Sequence, residues 1–68
     1  MPLVIKVNGV EREVELGSTV ADLVSAEGLA PNQVAVELNQ VLVPRAARAE
    51  RVLESGDGVE LVTMVGGG

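Results

Sequence analysis

Residues 3–16 have the sequence LVIKVNGVEREVEL, and this stretch decides the fold. Residues 3–7 are rich in β-branched side chains, which favour a strand. Asn8 and Gly9 come next, and this pair predicts a two-residue hairpin turn because both turn positions need a positive φ angle. Residues 10–16 are then the returning strand, so the chain is predicted to open with a β-hairpin.

The returning strand has two different faces. The period of two of a β-strand places three carboxylates on one face: Glu11, Glu13 and Glu15. No other metal-ligand type lies nearby, so a solvated face is favoured over an acid pair or a metal site. Arg12 interrupts the opposite, apolar face, which predicts a position near a sheet edge where the guanidinium can reach water.

A short helix is predicted after the break at residues 17–18. Thr19 can cap this helix, and Asp22, three residues later, gives the spacing of a capping box. Gly28 ends the helix after Glu27, which leaves about two turns. One face of the helix is apolar and should pack on the sheet, with Val20, Leu23 and Val24.

Further strands are predicted after the helix. Pro31 holds the loop that precedes them, a turn at Asn39 and Gln40 separates the first two, and residues 45–50 can form one more helical turn. Because two strands alone cannot cover a helix, the later strands must join the same sheet. We therefore predict an α+β fold, with a mixed sheet of four to five strands packed on one main helix. The added strands are residues 34–38, 41–43 and 59–65.

The composition fits one small domain with an aliphatic core. The chain has 68 residues and contains no Phe, Trp or Tyr. We expect a single domain over residues 1–65 and a flexible glycine tail over residues 66–68. No apolar run reaches the length of a membrane span and no signal peptide is recognised, so we expect a cytoplasmic location.

The charge and the missing side chains argue against several classes of function. The net charge of -5 disfavours nucleic acid and anionic membranes, and favours a basic protein surface as partner. The alternative is that this charge serves solubility alone. The chain has no His, Cys or Tyr, so most general bases and nucleophiles are missing and we do not expect an enzyme.

Five segments spread over the whole chain resemble one family. They are the turn at Asn8 and Gly9, GSTV at residues 17–20, ELNQVLVPR at residues 37–45, GDGVE at residues 56–60, and the terminal pair Gly67 and Gly68. In this combination the chain resembles the ThiS family, within the β-grasp (ubiquitin-like) sulfur carriers. There are two departures from the family pattern. Family members often carry an aromatic residue just after the Pro-Arg pair, and this chain has Arg48 in that area. A third glycine, Gly66, precedes the terminal pair.

The resemblance implies a reaction cycle that is run by partner enzymes. A ThiF-like activating enzyme would use magnesium-ATP to adenylate the Gly68 carboxylate, and a sulfur donor protein would supply sulfur to form a thiocarboxylate. A ThiG-like thiazole synthase would then take the sulfur into the thiazole ring of thiamine. The chain itself would bind no cofactor and no metal. Alternatives are a MoaD-like sulfur carrier for molybdopterin, a ubiquitin-like protein modifier, and a plain binding module.

The glycine tail suits a narrow channel in a partner enzyme. Glycine has no Cβ and tolerates backbone conformations that are closed to other residues. Three extended residues reach about 10 Å, which carries the terminus away from the domain. Gly67 and Gly68 are therefore the predicted reactive end. The alternative interpretation is a frayed terminus or a remnant of cloning.

The last strand predicts where the domain contacts its partner. Glu60 does not suit a small core, so the face that it shares with Val62 and Met64 should point outward. With Gly66, these two apolar residues are the predicted partner contacts. In the alternative, residues 44–53 partly cover this face. A separate strip consists of three arginines, Arg45, Arg48 and Arg51. We favour a solvated edge as its role, and the alternative is a contact for a partner's carboxylates.

Overall fold

The computed structural model describes residues 1–64 of the chain. Their secondary structure agrees with the predicted order of elements, apart from shifts of one or two residues at several ends. Short 3-10 turns lie at Pro31–Gln33 and Arg45–Ala47. The helix and strands are β1 (Pro2–Val7), β2 (Val10–Glu15), α1 (Val20–Ala26), β3 (Val34–Leu38), β4 (Val41–Leu42) and β5 (Gly58–Thr63). The predicted extension of β5 to Val65 and the tail at residues 66–68 lie outside the described residues.

The opening hairpin forms as predicted. β1 and β2 pair antiparallel, and Asn8 and Gly9 have φ angles of 51° and 84° at the turn. Arg12 lies opposite Ile5 on β2, which is an edge strand of the sheet. Its guanidinium donates to the carboxylate of Glu27 at the end of the helix. The edge position predicted for Arg12 is therefore confirmed, and the ion pair joins the hairpin to the helix.

The strands form one mixed sheet in the order β2-β1-β5-β3-β4. β1 and β5 are parallel neighbours, and the other paired strands are antiparallel. The backbone pairing of β1 with β5 ends at Val7 and Val59. Beyond it, the Asn8 side chain accepts a hydrogen bond from the Leu61 amide at 2.8 Å and donates one to the Leu61 carbonyl at 3.3 Å. One side chain thus continues the ladder where the β1 backbone turns away.

The helix begins at the predicted capping box. Thr19 Oγ1 accepts from the Asp22 amide at 3.1 Å, and the Asp22 carboxylate accepts from the Thr19 amide at 2.9 Å. Each bond satisfies a backbone amide at the amino-terminal end of the helix, where amides have no partner within the helix. The helix ends with Glu27 as its C-cap, followed by Gly28 with a φ angle of 74°. These contacts fix the length of α1 at seven residues.

The core lies between the helix and one face of the sheet. Residues 44–53 lie on the helix side, because the Val20 amide donates to the Arg51 carbonyl at 2.9 Å and Leu53 is buried in the same cluster. Each fully buried aliphatic side chain of this kind contributes about 1.5–3 kcal/mol. The buried cluster is Ile5, Val7, Val20, Leu23, Val24, Val34, Val36, Leu38, Val43, Leu53, Val59 and Leu61.

Candidate functional site

β5 separates a buried face from an exposed face. Val59 and Leu61 are 1% and 9% exposed, whereas Val62 and Met64 are 57% and 53% exposed. The outward orientation predicted for Val62 and Met64 is therefore confirmed. In the alternative, residues 44–53 partly cover this face. Leu53 of that segment packs in the core on the helix side, while Pro44 and Arg45 border the depression that Met64 also lines, so the segment reaches the margin of this face and leaves Val62 and Met64 more than half exposed.

Neighbouring strands extend this apolar surface. Ala35 on β3 lies directly opposite Val62, and Leu42 on β4 lies opposite Glu37. Directly opposed residues of an antiparallel pair share a face. Ala35, Leu42 and Met64 also line one shared depression. We call Ala35, Leu42, Val62 and Met64 the outer patch. Sequence analysis missed Ala35 and Leu42, although the alternation along β3 and β4 carries that signal once the register is known.

Two carboxylates lie within the same face as the outer patch. Glu37 on β3 is directly opposite Glu60 on β5, and like charges in this arrangement are unfavourable. Neither forms an ion pair within the described part of the chain. The outer patch is therefore an apolar surface with negative charge beside it, which suits a partner surface that has apolar side chains and a cation.

The outer patch leads into the tail. Met64 is the last described residue, and its amide donates to the Gln33 carbonyl at 2.8 Å, which fastens the end of β5 to the residue before β3. Gly66 is two positions further along the sequence. The predicted site residues Gly66, Gly67 and Gly68 lie outside the described residues, so their roles stay predictions.

The predicted arginine strip is wrong at its middle member. Arg45 and Arg51 are exposed, but Arg48 is only 6% exposed. Its Nη1 donates to the Pro31 carbonyl at 2.9 Å, and its Nη2 donates to the Val34 carbonyl at 2.6 Å. The 3-10 turn directs this side chain inward, where two carbonyls compensate part of the lost hydration. Arg48 therefore does not contribute to a solvated edge or offer a partner contact.

Residues 1–64 contain neither a cluster of metal ligands nor a helix suited to crossing a membrane. No three His, Cys, Asp or Glu side chains come together there as metal ligands would. In that same range, no helix combines the length and apolar character needed to cross a bilayer. The alternating glutamates of β2 are exposed, as predicted.

The fold resembles that of solved structures of one protein. The crystal structure of the thiamine biosynthesis protein ThiS from Geobacter metallireducens superposes with a TM-score of 0.82 and 33% identity, covering 97% of this chain and 100% of that one. The solution structure of a thiamine biosynthesis protein from the same organism gives a TM-score of 0.80 and 33% identity, covering 97% and 88%. The mixed sheet packed on one helix is thus a β-grasp fold, as predicted.

Sequence comparison gives the family. The model of the ThiS family matches residues 5–68, and the chain belongs to this family. It is also 39% identical over 64 residues to a thiazole synthase of Magnetococcus marinus, and 40% identical over 68 residues to one of Paramagnetospirillum magneticum. These matches cover 94% and 100% of this chain, but the chain spans only 20% of the length of either relative.

Proposed function

We propose that this chain is the sulfur carrier of thiamine biosynthesis and that its working group is the Gly68 carboxylate. The observation that carries the proposal is the family match, which runs through Gly68 and includes the terminal glycines. The likeness to ThiS from Geobacter metallireducens supports the same function. An apolar outer patch that ends at Met64, just before the tail, fits a domain that presents its terminus to larger partners.

The proposed chemistry begins with activation of a poor electrophile. An oxygen of the Gly68 carboxylate attacks the α-phosphorus of ATP in a ThiF-like enzyme, and pyrophosphate leaves. A persulfide of a donor protein then attacks the carbonyl carbon of the acyl-adenylate, and AMP leaves. A thiol of the donor or of a partner enzyme attacks the donor's sulfur in the resulting acyl disulfide, so that the sulfur–sulfur bond breaks, the terminus leaves as a thiocarboxylate and the thiol ends in a disulfide. ATP and magnesium belong to the activating enzyme, and this chain is its co-substrate rather than a catalyst.

The domain supplies the binding free energy that this chemistry needs. Ordering three tail residues in a channel costs about 1–2 kcal/mol per residue. Burial of the outer patch offsets this cost at about 25 cal/mol for each Å² of apolar surface removed from water. A basic rim on the partner would complement the net charge of -5 and speed the encounter. We therefore assign docking to Val62, Met64 and Gly66, extended by Ala35 and Leu42.

A thiazole synthase is the partner proposed to receive the sulfur. Both curated relatives are thiazole synthases, and each contains a segment similar to nearly the whole of this chain within a protein about five times as long. Because that similar segment and the rest of the thiazole synthase lie in one chain, each is present at a high effective concentration for the other. This arrangement favours thiamine over molybdopterin as the destination. The cytoplasmic location stays a prediction.

Intact mass spectrometry tests the proposal. The full chain is incubated with ATP, magnesium, a ThiF-like enzyme and a sulfur donor, with ATP omitted as control. We expect a mass gain equal to the replacement of one oxygen by sulfur, followed by loss of that sulfur when thiazole synthase and its substrates are added. Sulfur lost only to a molybdopterin precursor would favour the MoaD-like alternative. Attachment of the chain to lysines of other proteins would favour the modifier.

A further inference from the structure

Arg48 is a buried cation within an otherwise aliphatic core. It is 6% exposed, and neither of the ion pairs formed within residues 1–64 involves it. Two of its nitrogens donate to backbone carbonyls, while Nε is buried without a partner among the described residues. Burial of a guanidinium without a carboxylate beside it is expensive. An aliphatic side chain would avoid this cost but would leave the carbonyls of Pro31 and Val34 without these two donors.

The two accepting carbonyls flank the attachment point of β5. Arg48 donates to Pro31 and Val34, and the Gln33 carbonyl between them accepts the hydrogen bond from the Met64 amide. Val34 is also the cross-strand partner of Thr63. Residues 31–34 therefore accept hydrogen bonds from the Arg48 side chain through two carbonyls and from the Met64 amide at the end of β5 through a third. Contacts that hold residues 31–34 in place therefore also hold the Gln33 carbonyl, which accepts the last backbone hydrogen bond described before the tail.

The backbone of Arg48 is itself anchored. Its carbonyl accepts from the Ala21 amide in the first turn of α1 at 3.1 Å, and its amide donates to the Arg45 carbonyl at 3.3 Å. A continuous set of hydrogen bonds thus runs from the helix through Arg48 and residues 31–34 to Met64. Hydrogen bonds from an ionised donor are stronger than neutral ones, and a planar guanidinium can reach two carbonyls at once.

We propose that Arg48 is a positioning residue for adenylation. It holds residues 31–34 in place, and through the hydrogen bond from the Met64 amide to the Gln33 carbonyl it fixes the end of β5 beside Met64, which lies four residues before Gly68 in the sequence. The inference rests on the proposed function, because the position of this strand end matters to adenylation only if a partner must engage the residues that follow it. Positioning of a reacting group affects the turnover of a bound complex more than its formation.

Matched variants separate positioning from stability. Arg48→Met keeps an apolar stem of similar reach and removes both donors, and Arg48→Lys keeps the charge without the planar fork. Arg45→Met makes the same change three residues earlier, at an exposed arginine. Thermal unfolding is followed by circular dichroism, and all other assays use a temperature at which every variant is folded. These assays are amide hydrogen exchange at Met64 by NMR, and ATP–pyrophosphate exchange with a ThiF-like enzyme over a range of carrier concentrations.

We expect Arg48→Met to speed hydrogen exchange of the Met64 amide about tenfold, since two charge-assisted hydrogen bonds to residues 31–34 are lost. In pyrophosphate exchange we expect kcat to fall about tenfold while KM stays within about twofold. Arg48→Lys should give intermediate values, and Arg45→Met should match the native chain in all three measurements.

The proposal fails if Arg48→Met lowers the melting temperature while Met64 exchange and kcat stay native, since Arg48 would then be structural alone. It also fails if Met64 exchange rises and kcat does not change, because the end of β5 would then not control the reaction. If Arg48→Met does not fold, Arg48→Lys answers the same two questions. Failure of the native chain to support pyrophosphate exchange would overturn the proposed function instead, and the hydrogen exchange would still report on the Met64 anchor.

Discussion

The two faces of the sheet use the same strands for different purposes. On the inner face, Val59 and Leu61 of β5 pack among the buried aliphatic side chains. On the outer face, Val62 and Met64 of the same segment are more than half exposed and lie beside Ala35 and Leu42. Both sets are apolar, so hydrophobicity alone does not tell stability from binding. The difference lies in what covers each face: the inner one has the helix, while none of residues 1–64 buries Val62 or Met64.

The largest effect should come from replacing one leucine by alanine on each face of the sheet and comparing the two variants. Leu38→Ala removes a side chain that is 2% exposed, whereas Leu42→Ala removes one that is 62% exposed on the neighbouring strand. We expect Leu38→Ala to lower the free energy of unfolding by about 2–5 kcal/mol, because a cavity is left in a small core. Leu42→Ala should change it by less than about 0.5 kcal/mol. Urea denaturation measures both, and equal losses would mean that the outer patch is part of the folding core.

The next effect concerns the tail rather than either face. Gly67→Val should abolish ATP–pyrophosphate exchange although the terminal carboxylate remains. Valine is stiff at χ1 and restricted in backbone conformation, so it does not suit a channel shaped for glycine. The unfolding midpoint should not change. Because the outer patch is intact, excess variant should compete with the native chain for the activating enzyme. Normal exchange by the variant would show that the channel does not select glycine.

A third change tests the outer face directly. Val62→Asp should weaken binding to the activating enzyme about tenfold or more, because it places a charge within the proposed docking surface. Val4→Asp is the control, because Val4 is 44% exposed on the same sheet face but lies far from Val62. The Val4 carbonyl accepts from the amide of Gly56, which precedes the start of β5, whereas Val62 is near the end of that strand. Titration calorimetry measures affinity and circular dichroism the fold. Equal loss of affinity in both variants would remove the outer patch as the docking surface.

Local patterns in the sequence predicted most of the fold. The hairpin turn, the capping box and the exposed face of β5 follow from residues within a few positions of each other, and each is present in the structure. The turn at Asn39 and Gln40 is also present, with φ angles of 51° and 69°. These features were predictable because turn and cap geometry depends on short-range backbone and side-chain contacts.

Contacts between distant parts of the sequence were not predictable in the same way. Arg48 is buried because the carbonyls of Pro31 and Val34 lie within its reach, 17 and 14 residues earlier. Asn8 was expected only to favour a positive φ angle, yet its side chain also binds Leu61, 53 residues away. Ala35 joined the outer patch only when the register placed it opposite Val62. The chemistry of the tail still rests on the family match and on the experiments proposed above.

The smallest effect should come from neutralising one of the two paired carboxylates on the outer face. This change should raise stability and slow binding. Glu37 and Glu60 are directly opposite each other on β3 and β5. Glu60→Gln keeps the shape of the side chain and removes the repulsion, so we expect the free energy of unfolding to rise by about 0.2–1 kcal/mol. The same change removes negative charge from the proposed docking surface, so association with a basic partner should slow, most clearly at low salt.

Glu13→Gln is the control, because Glu13 lies opposite Val4 rather than a carboxylate. Urea denaturation and stopped-flow association at two salt concentrations measure the pair of effects. A gain in stability with an unchanged association rate would mean that this pair is only a local strain in the sheet, and that the partner does not meet the outer face at Glu60.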